Sequence, residues 1–281
     1  MANFICVTCG TQFATADIPP TVCRICNDER QYVGWNGQQW TTLDELRQSH
    51  RNAVRLEEPG LYGIGMEPSF AIGQRALLVT HPDGNVLWDC IPLIDEGLIE
   101  MIRGLGGISA IAISHPHYYT SMVEWARIFD CPVYLHVDDR RWVMRSDEMV
   151  RFWDGESKEM AHGRTLVRCG GHFDGGTVFH WSGGADGKGV ILSGDILQVV
   201  QNRRWVSFMY SYPNLIPLSR AEVQRIVAAV EPFKFDRIYG AWWNKTVFTD
   251  AKATVERSAD RYIRAICEDA SANELPDALQ K

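Results

Sequence analysis

Ser114-His-Pro-His-Tyr-Tyr-Thr-Ser121 is the stretch on which the fold turns. It follows Ile108-Ser-Ala-Ile-Ala-Ile113, an apolar run that reads as a buried strand. It precedes Met122, Trp125, Ala126 and Phe129, which recur at i, i+3, i+4 and i+7 on one face of a helix. His115 and His117 therefore fall where a strand gives way to a helix. Two histidines in the i, i+2 relation on extended backbone project to one side and can chelate one ion. Loops after strands are also where layered α/β folds carry their chemistry. A His-x-His pair alone is a weak signal, so further ligands have to come from elsewhere in the chain.

Downstream, Gly170-Gly-His172-Phe-Asp-Gly-Gly176 sets a third histidine in a glycine-rich turn. Residues 189–192 read as another buried strand, and Leu192-Ser-Gly-Asp195 ends it in a carboxylate. Strands are also expected at Ala76–Val79 and Val86–Trp88, flanking the turn His81-Pro-Asp-Gly84, and at residues 132–135 and 237–239. Thr42-Leu-Asp-Glu45 is a capping box that starts a short helix to about His50. Ser219-Arg-Ala-Glu222 is a second box, ahead of Val223, Ile226, Val227 and Val230 at helical spacing. Val255, Ala259, Tyr262, Ile263 and Ile266 mark a last amphipathic helix. Helices and strands mix throughout, which predicts an α/β layer arrangement.

Cys6-x2-Cys9 and Cys23-x2-Cys26 stand thirteen residues apart near the N-terminus. Two thiolates on one tight knuckle both reach an ion at the Zn–S distance of about 2.3 Å, and two knuckles close a tetrahedron. Four sulfur ligands leave no open position, so this ion, zinc by spacing, is structural. Residues 1–40 are expected to form a zinc ribbon and 41–281 a larger domain. The ribbon carries Arg24 and Arg30 against Asp17, Asp28 and Glu29, a poor phosphate binder, so a packing or partner-binding role is expected and nucleic acid is not.

Composition narrows the rest. With 46% apolar and 22% charged residues in 281, the chain is neither disordered nor membrane-spanning. A net charge of −7 opposes non-specific attraction to nucleic acid or anionic lipid. Met-Ala-Asn-Phe-Ile-Cys has no basic segment followed by an apolar run, so a cytoplasmic location is expected. His50, His81, His162 and His180 carry no motif, and His136 reads as a packing residue at a strand end.

The order His115-x-His117, Gly171-His172 and strand-end Asp195 resembles the metallo-β-lactamase superfamily, including its glyoxalase II-like hydrolases. Val86-Leu-Trp-Asp89 matches that family's early strand ending in Asp, and the resemblance covers roughly residues 61–266. It implies a four-layer αβ/βα sandwich after the ribbon. It also implies that His115, His117, His172 and Asp195 ligate one metal in a cleft. The family's Asp-His, which holds a second metal, is Tyr119-Thr120 here, and no histidine follows His180. One zinc or iron ion is therefore expected in the cleft. Trp242 and Trp243 fall where the family's last ligand would be and are candidates to wall off the second position. With zinc, the implied activity is hydrolysis of a small molecule. Asp174 is then the candidate base and Tyr118 or Tyr119 the candidate donor to an oxyanion. Two alternatives stay open: a binding module without turnover, and an iron dioxygenase acting on a sulfur compound, as the superfamily's persulfide dioxygenases do.

Overall fold

Alternation along buried strands sorts the apolar side chains into three layers. Leu77 and Val79, Val86 and Trp88, and Ala110 and Ala112 point one way, toward Phe179, Leu192 and Tyr239. Leu78, Leu87 and Ile111, the residues between them, point the other way, toward helices. Successive strand side chains face opposite sides, so continuous apolar runs demand cover on both faces. The structure, a computed structural model, describes residues 1–161 and 163–267. His162 and residues 268–281 lie outside them.

One sheet has seven strands in sequence order: Arg51–Glu58, Leu61–Glu67, Ala76–Val79, Val86–Trp88, Ala110–Ala112, Val133–His136 and Val150–Trp153. Its first four are antiparallel and its last four parallel. The second sheet orders Ser157–Ala161, Arg164–Arg168, Thr177–Trp181, Val190–Gly194, Arg237–Gly240 and Thr246–Val247. Helices Glu96–Gly104 and Met122–Phe129 cover the outer face of the first sheet, and Arg220–Val230 and Ala251–Ile266 that of the second. The result is the four-layer αβ/βα sandwich. Glu58 fastens the two sheets: it accepts from Tyr239 Oη at 2.7 Å and Ala185 N at 2.8 Å and pairs with Arg237.

Thr42 closes its capping box with Glu45 and the helix Leu43–Ser49 follows. The second box is only half made. Ser219 accepts from Glu222 N, but the Glu222 carboxylate is drawn to Arg225 at 2.6 Å, one turn on.

The four-cysteine segment is held by the short pair Ile5–Cys6 and Trp40–Thr41 and packs directly on the first sheet's helical side. Gln12 N donates to Thr120 O at 3.0 Å, and Ala14 N to Met144 O at 3.2 Å. Gly10 shows how close this approach is. Its φ is +79°, and a Cβ there would stand 2.6 Å from Pro92 and 3.5 Å from Thr120.

Candidate metal centre

Three loops at one end of the sandwich bring the histidine motif together with its partners. His115 and His117 lie on the turn after Ala110–Ala112, His172 in the turn before Thr177–Trp181, and Asp195 just past Val190–Gly194. Gly194 (φ +54°) lets the last of these pass the first, since a Cβ would meet Ser114 Oγ at 2.7 Å. Thr177 N donates to Ser114 O at 2.9 Å and ties the His172 turn to the same place. One ligand atom from each of His115, His117, His172 and Asp195 lies within 4.8 Å of the others, and all four side chains are buried.

Neighbouring groups fix how the rings face. His172 Nδ1 donates to Tyr210 O at 2.7 Å, which leaves Nε2 as its acceptor. That Nε2 stands 3.1 Å from His117 Nδ1. Asp89 has a positive φ of 60° and accepts from both Ser114 N and Ser114 Oγ at 2.8 Å. Ser114 Oγ is then free to accept from His115 Nδ1 at 3.0 Å. His115 Nε2 consequently faces Asp195 Oδ1 at 3.3 Å, yet neither atom has a hydrogen-bond partner. Burial holds all three imidazoles below the ordinary histidine range, and for His115 and His117 the charge of His172 adds to it. Burial raises Asp195 while the charge of His172 opposes that rise.

These observations test whether a metal fits. Three neutral imidazoles beside one carboxylate leave buried acceptor atoms facing one another, an arrangement that costs free energy without a cation between them. Tetrahedral ligands at about 2.0–2.1 Å stand about 3.3 Å apart, close to the 3.1 and 3.3 Å found here. The donor set fits a single ion. The cysteines pass the same test. Cys6 and Cys26 Sγ are 3.6 Å apart and Cys9 and Cys23 Sγ 3.7 Å, against about 3.8 Å for a tetrahedron of 2.3 Å bonds. Gln38 Nε2 donates to Cys6 Sγ at 3.2 Å, which supports a thiolate there.

The structure does not bring Asp174 or Tyr119 into this group. Asp174 has a side chain 69% exposed and turned toward Arg141 at 3.7 Å, as suits a turn residue on the outer surface. Tyr119 is buried in the apolar layer under the cysteine segment, beside Thr11 and Gln12. Tyr118 lies closer, its ring 4.4 Å from His115, and its unpartnered hydroxyl is kept protonated by burial and the Asp195 charge. Trp242 lines the cleft and donates to Ile72 O at 2.8 Å, whereas Trp243 packs on Gly63 and Gly65 beneath Arg55. His136 is taken up by its own neighbours: Nε2 donates to Gly155 O at 3.1 Å and Nδ1 accepts from Asp138 N at 3.3 Å.

Beside the four residues opens a cleft of about 350 Å³. Several of its walls were not legible in the sequence. Gln31 and Tyr32 come from the cysteine segment, Ala71 and Ile72 from the loop between two strands, and Gln198 and Tyr212 from beyond Asp195. None stands in a motif, and only the fold carries residue 31 to residue 172.

Fold and site together define a protein of the metallo-β-lactamase fold that carries two groups able to hold a metal. FIM-1 from Pseudomonas aeruginosa, a metallo-β-lactamase in its mono-zinc form, superposes with a TM-score of 0.56 at 16% identity, covering 75% of this chain and 95% of that one. The DIM-1 metallo-β-lactamase gives the same TM-score at 12% identity, covering 75% and 95%. At such identities the likeness is one of fold. No protein-family model matches the chain. The uncharacterized protein YmaE of Bacillus subtilis (strain 168) is 52% identical over 268 residues, 95% of this chain and 97% of that protein, so the chain belongs to the YmaE family. Among the described residues no helix is long and apolar enough to cross a membrane.

Proposed function

We propose that the chain is a metal-dependent hydrolase of a small molecule, with one ion, zinc by its donor set, held by His115, His117, His172 and Asp195. A second, structural zinc is held by Cys6, Cys9, Cys23 and Cys26. The observation that carries the reading is that one ligand atom from each of the four converges within 4.8 Å, with His115 Nε2 and Asp195 Oδ1 buried, 3.3 Å apart and without a hydrogen-bond partner. When bound, such an ion supplies Lewis acidity that polarises a carbonyl or phosphoryl oxygen and acidifies water. His115, His117 and His172 present neutral nitrogens at pH 7, because burial opposes their charging. Asp195 supplies the negative charge of the group, whereas Asp174, exposed on the outer surface beside Arg141, is not placed to take up a proton there. Tyr118 keeps its phenol proton, and with its ring 4.4 Å from His115 its unpartnered hydroxyl is a donor standing beside the group.

A second ion is not supported. Tyr119 is turned into the core, Thr120 is a neutral hydroxyl, and Trp242 stands at the remaining side of the cleft. FIM-1 in its mono-zinc form provides a precedent for the fold with a single ion. Elemental analysis of protein purified without added metal should give two ions per chain. His115→Ala/His172→Ala should keep one of these and lose turnover on an ester, thioester and amide panel. Retained turnover in that double variant would sink the reading, and iron with oxygen uptake would replace hydrolysis by oxygenation.

A further inference from the structure

We infer that the substrate is an acyl compound with an uncharged, linear apolar chain, and that Tyr32 of the cysteine segment and Leu215 select that chain at the lip of the cleft; the inference rests on this cleft being the hydrolase site. Outside the metal group, the described lining holds no charged side chain. Gln31 and Gln198 are neutral, and the rest is apolar or aromatic, with Ile72, Pro213, Tyr212 and Trp242 in it. Away from the ion, a carboxylate or phosphate on the substrate would find no charge to pair with. Two of the aromatics also have their polar ends tied back. Trp242 Nε1 donates to Ile72 O at 2.8 Å, and Tyr212 Oη to Asp195 O at 2.7 Å. With those groups satisfied inside the protein, what the two rings offer the cleft is carbon surface.

The apolar surface continues past the cavity. At about 350 Å³ the cleft is at the small end of ligand pockets, so a long chain has to leave it over the lip. Two segments meet there and are bonded to each other: Asn214 Nδ2 donates to Glu29 O at 2.8 Å and to Gln31 O at 3.0 Å. The next residue on either side of this junction is apolar and open to solvent. Tyr32 lines the cleft and is 47% exposed, and Leu215 is 78% exposed. Leu215 also has a φ of +56°, a region that a leucine seldom enters, in a turn closed by its N–H on Tyr212 O at 3.3 Å. A strained and exposed leucine adds little to the core, whereas beside Tyr32 it can cover an apolar chain that emerges from the cleft. The cysteine segment thereby contributes a specificity-determining residue as well as a fold.

2-Butanone, 2-hexanone and 2-octanone present one carbonyl on lengthening chains and cannot be hydrolysed. Their affinities can be read by ligand-observed NMR titration on the full, metal-loaded chain. Affinity should rise about two- to four-fold with each added methylene, the value of burying that much apolar surface. Tyr32→Ser/Leu215→Gly should weaken 2-octanone about five-fold or more and leave 2-butanone within about two-fold, since only the longer chain reaches the lip. Glycine accepts the φ of residue 215 without steric cost, so Leu215→Gly alone should keep the wild-type Tm while losing part of the chain-length response. Tyr32→Phe, which keeps the ring, should retain the full series. A trimethylammonium group at the chain end of 2-hexanone tests the opposite case, in which the aromatic faces hold a cation. Tighter binding of that ketone than of 2-octanone would overturn the inference. An absent or flat series in the wild type, a series unaltered in the double variant, or equal losses there for short and long ketones would do the same. Failure of the hydrolase reading would show differently, as a rising ketone series without turnover of the matching acyl esters and thioesters.

Discussion

Asp139 is 1% exposed and accepts a hydrogen bond from Gly175 N at 3.1 Å, in the turn that carries His172. Burial pushes its carboxyl up to about 7; the Gly175 N–H opposes this and the Asp174 charge adds to it. Between about pH 4 and 7 the folded chain keeps this proton while the unfolded chain has lost it. Stability from this group is therefore complete below about pH 4 and falls as pH rises toward 7. Asp139→Asn keeps the acceptor and removes the charge. It should stabilise the protein more at pH 8 than at pH 5, by about 2–3 kcal/mol, because two pKa units separate pH 5 from 7. Urea unfolding at the two pH values reads the difference, and an equal effect at both would exclude the buried-carboxyl account. At this scale the sequence was informative where chemistry is rare. His115, His117, His172 and Asp195 were legible because few other reasons put three histidines in strand-end turns. Asp174 was not, because Asp-Gly-Gly is first a turn signal, and its side chain points to solvent.

The segment Asp28–Tyr32 works as a clamp between the cysteine site and the histidine site. The Arg30 guanidinium lies 4.1 Å from the Phe173 ring centre, and Nη1 donates to His172 O at 3.4 Å. Phe173 in turn stacks on His115 at 5.4 Å and meets His117 edge-on at 4.9 Å. Asp28 grips Arg30 from the other side, at 2.6 and 3.0 Å. Arg30→Ala should therefore loosen the cleft ion by about 10–100-fold, the usual effect of losing support behind a ligand, and leave the cysteine-bound ion in place. Arg30→Lys should not rescue it, since an ammonium cannot both lie flat on Phe173 and keep the fork to Asp28. Competition with a metal chelator measures both. Unchanged cleft affinity in Arg30→Ala would mean the clamp is packing alone. Elements with strong periodicity, such as Met122–Phe129 and Arg220–Val230, read directly from the sequence. Arg51–Glu58 did not, since an edge strand with Arg, Asn and Glu on it shows little apolar alternation.

Across the whole molecule the α/β layering follows from alternating strand and helix patterns, but the four-layer closure was legible only through family resemblance. Periodicity places strands without saying which sheet each joins. It also says nothing of where the cysteine segment goes, and here the packing is decisive. Ile5, Phe13 and Ile25 share one apolar layer with Ile91, Tyr119 and Phe173, so the segment covers a core face instead of standing apart. Binding energy of a closed four-cysteine ion is folding energy for the residues it organises, and those residues shield the outer face of the first sheet. Cys6→Ser/Cys23→Ser should consequently destabilise the whole chain and not the N-terminal segment alone. Loss of a few kcal/mol in a protein of this size corresponds to a fall of about 10 °C in Tm. Tryptophan fluorescence of the variant should report the lower transition from both sheets together, and the cleft ion should be released with it. A wild-type Tm with proteolysis confined to the first forty residues would instead show that the segment folds independently and that the shared layer contributes little.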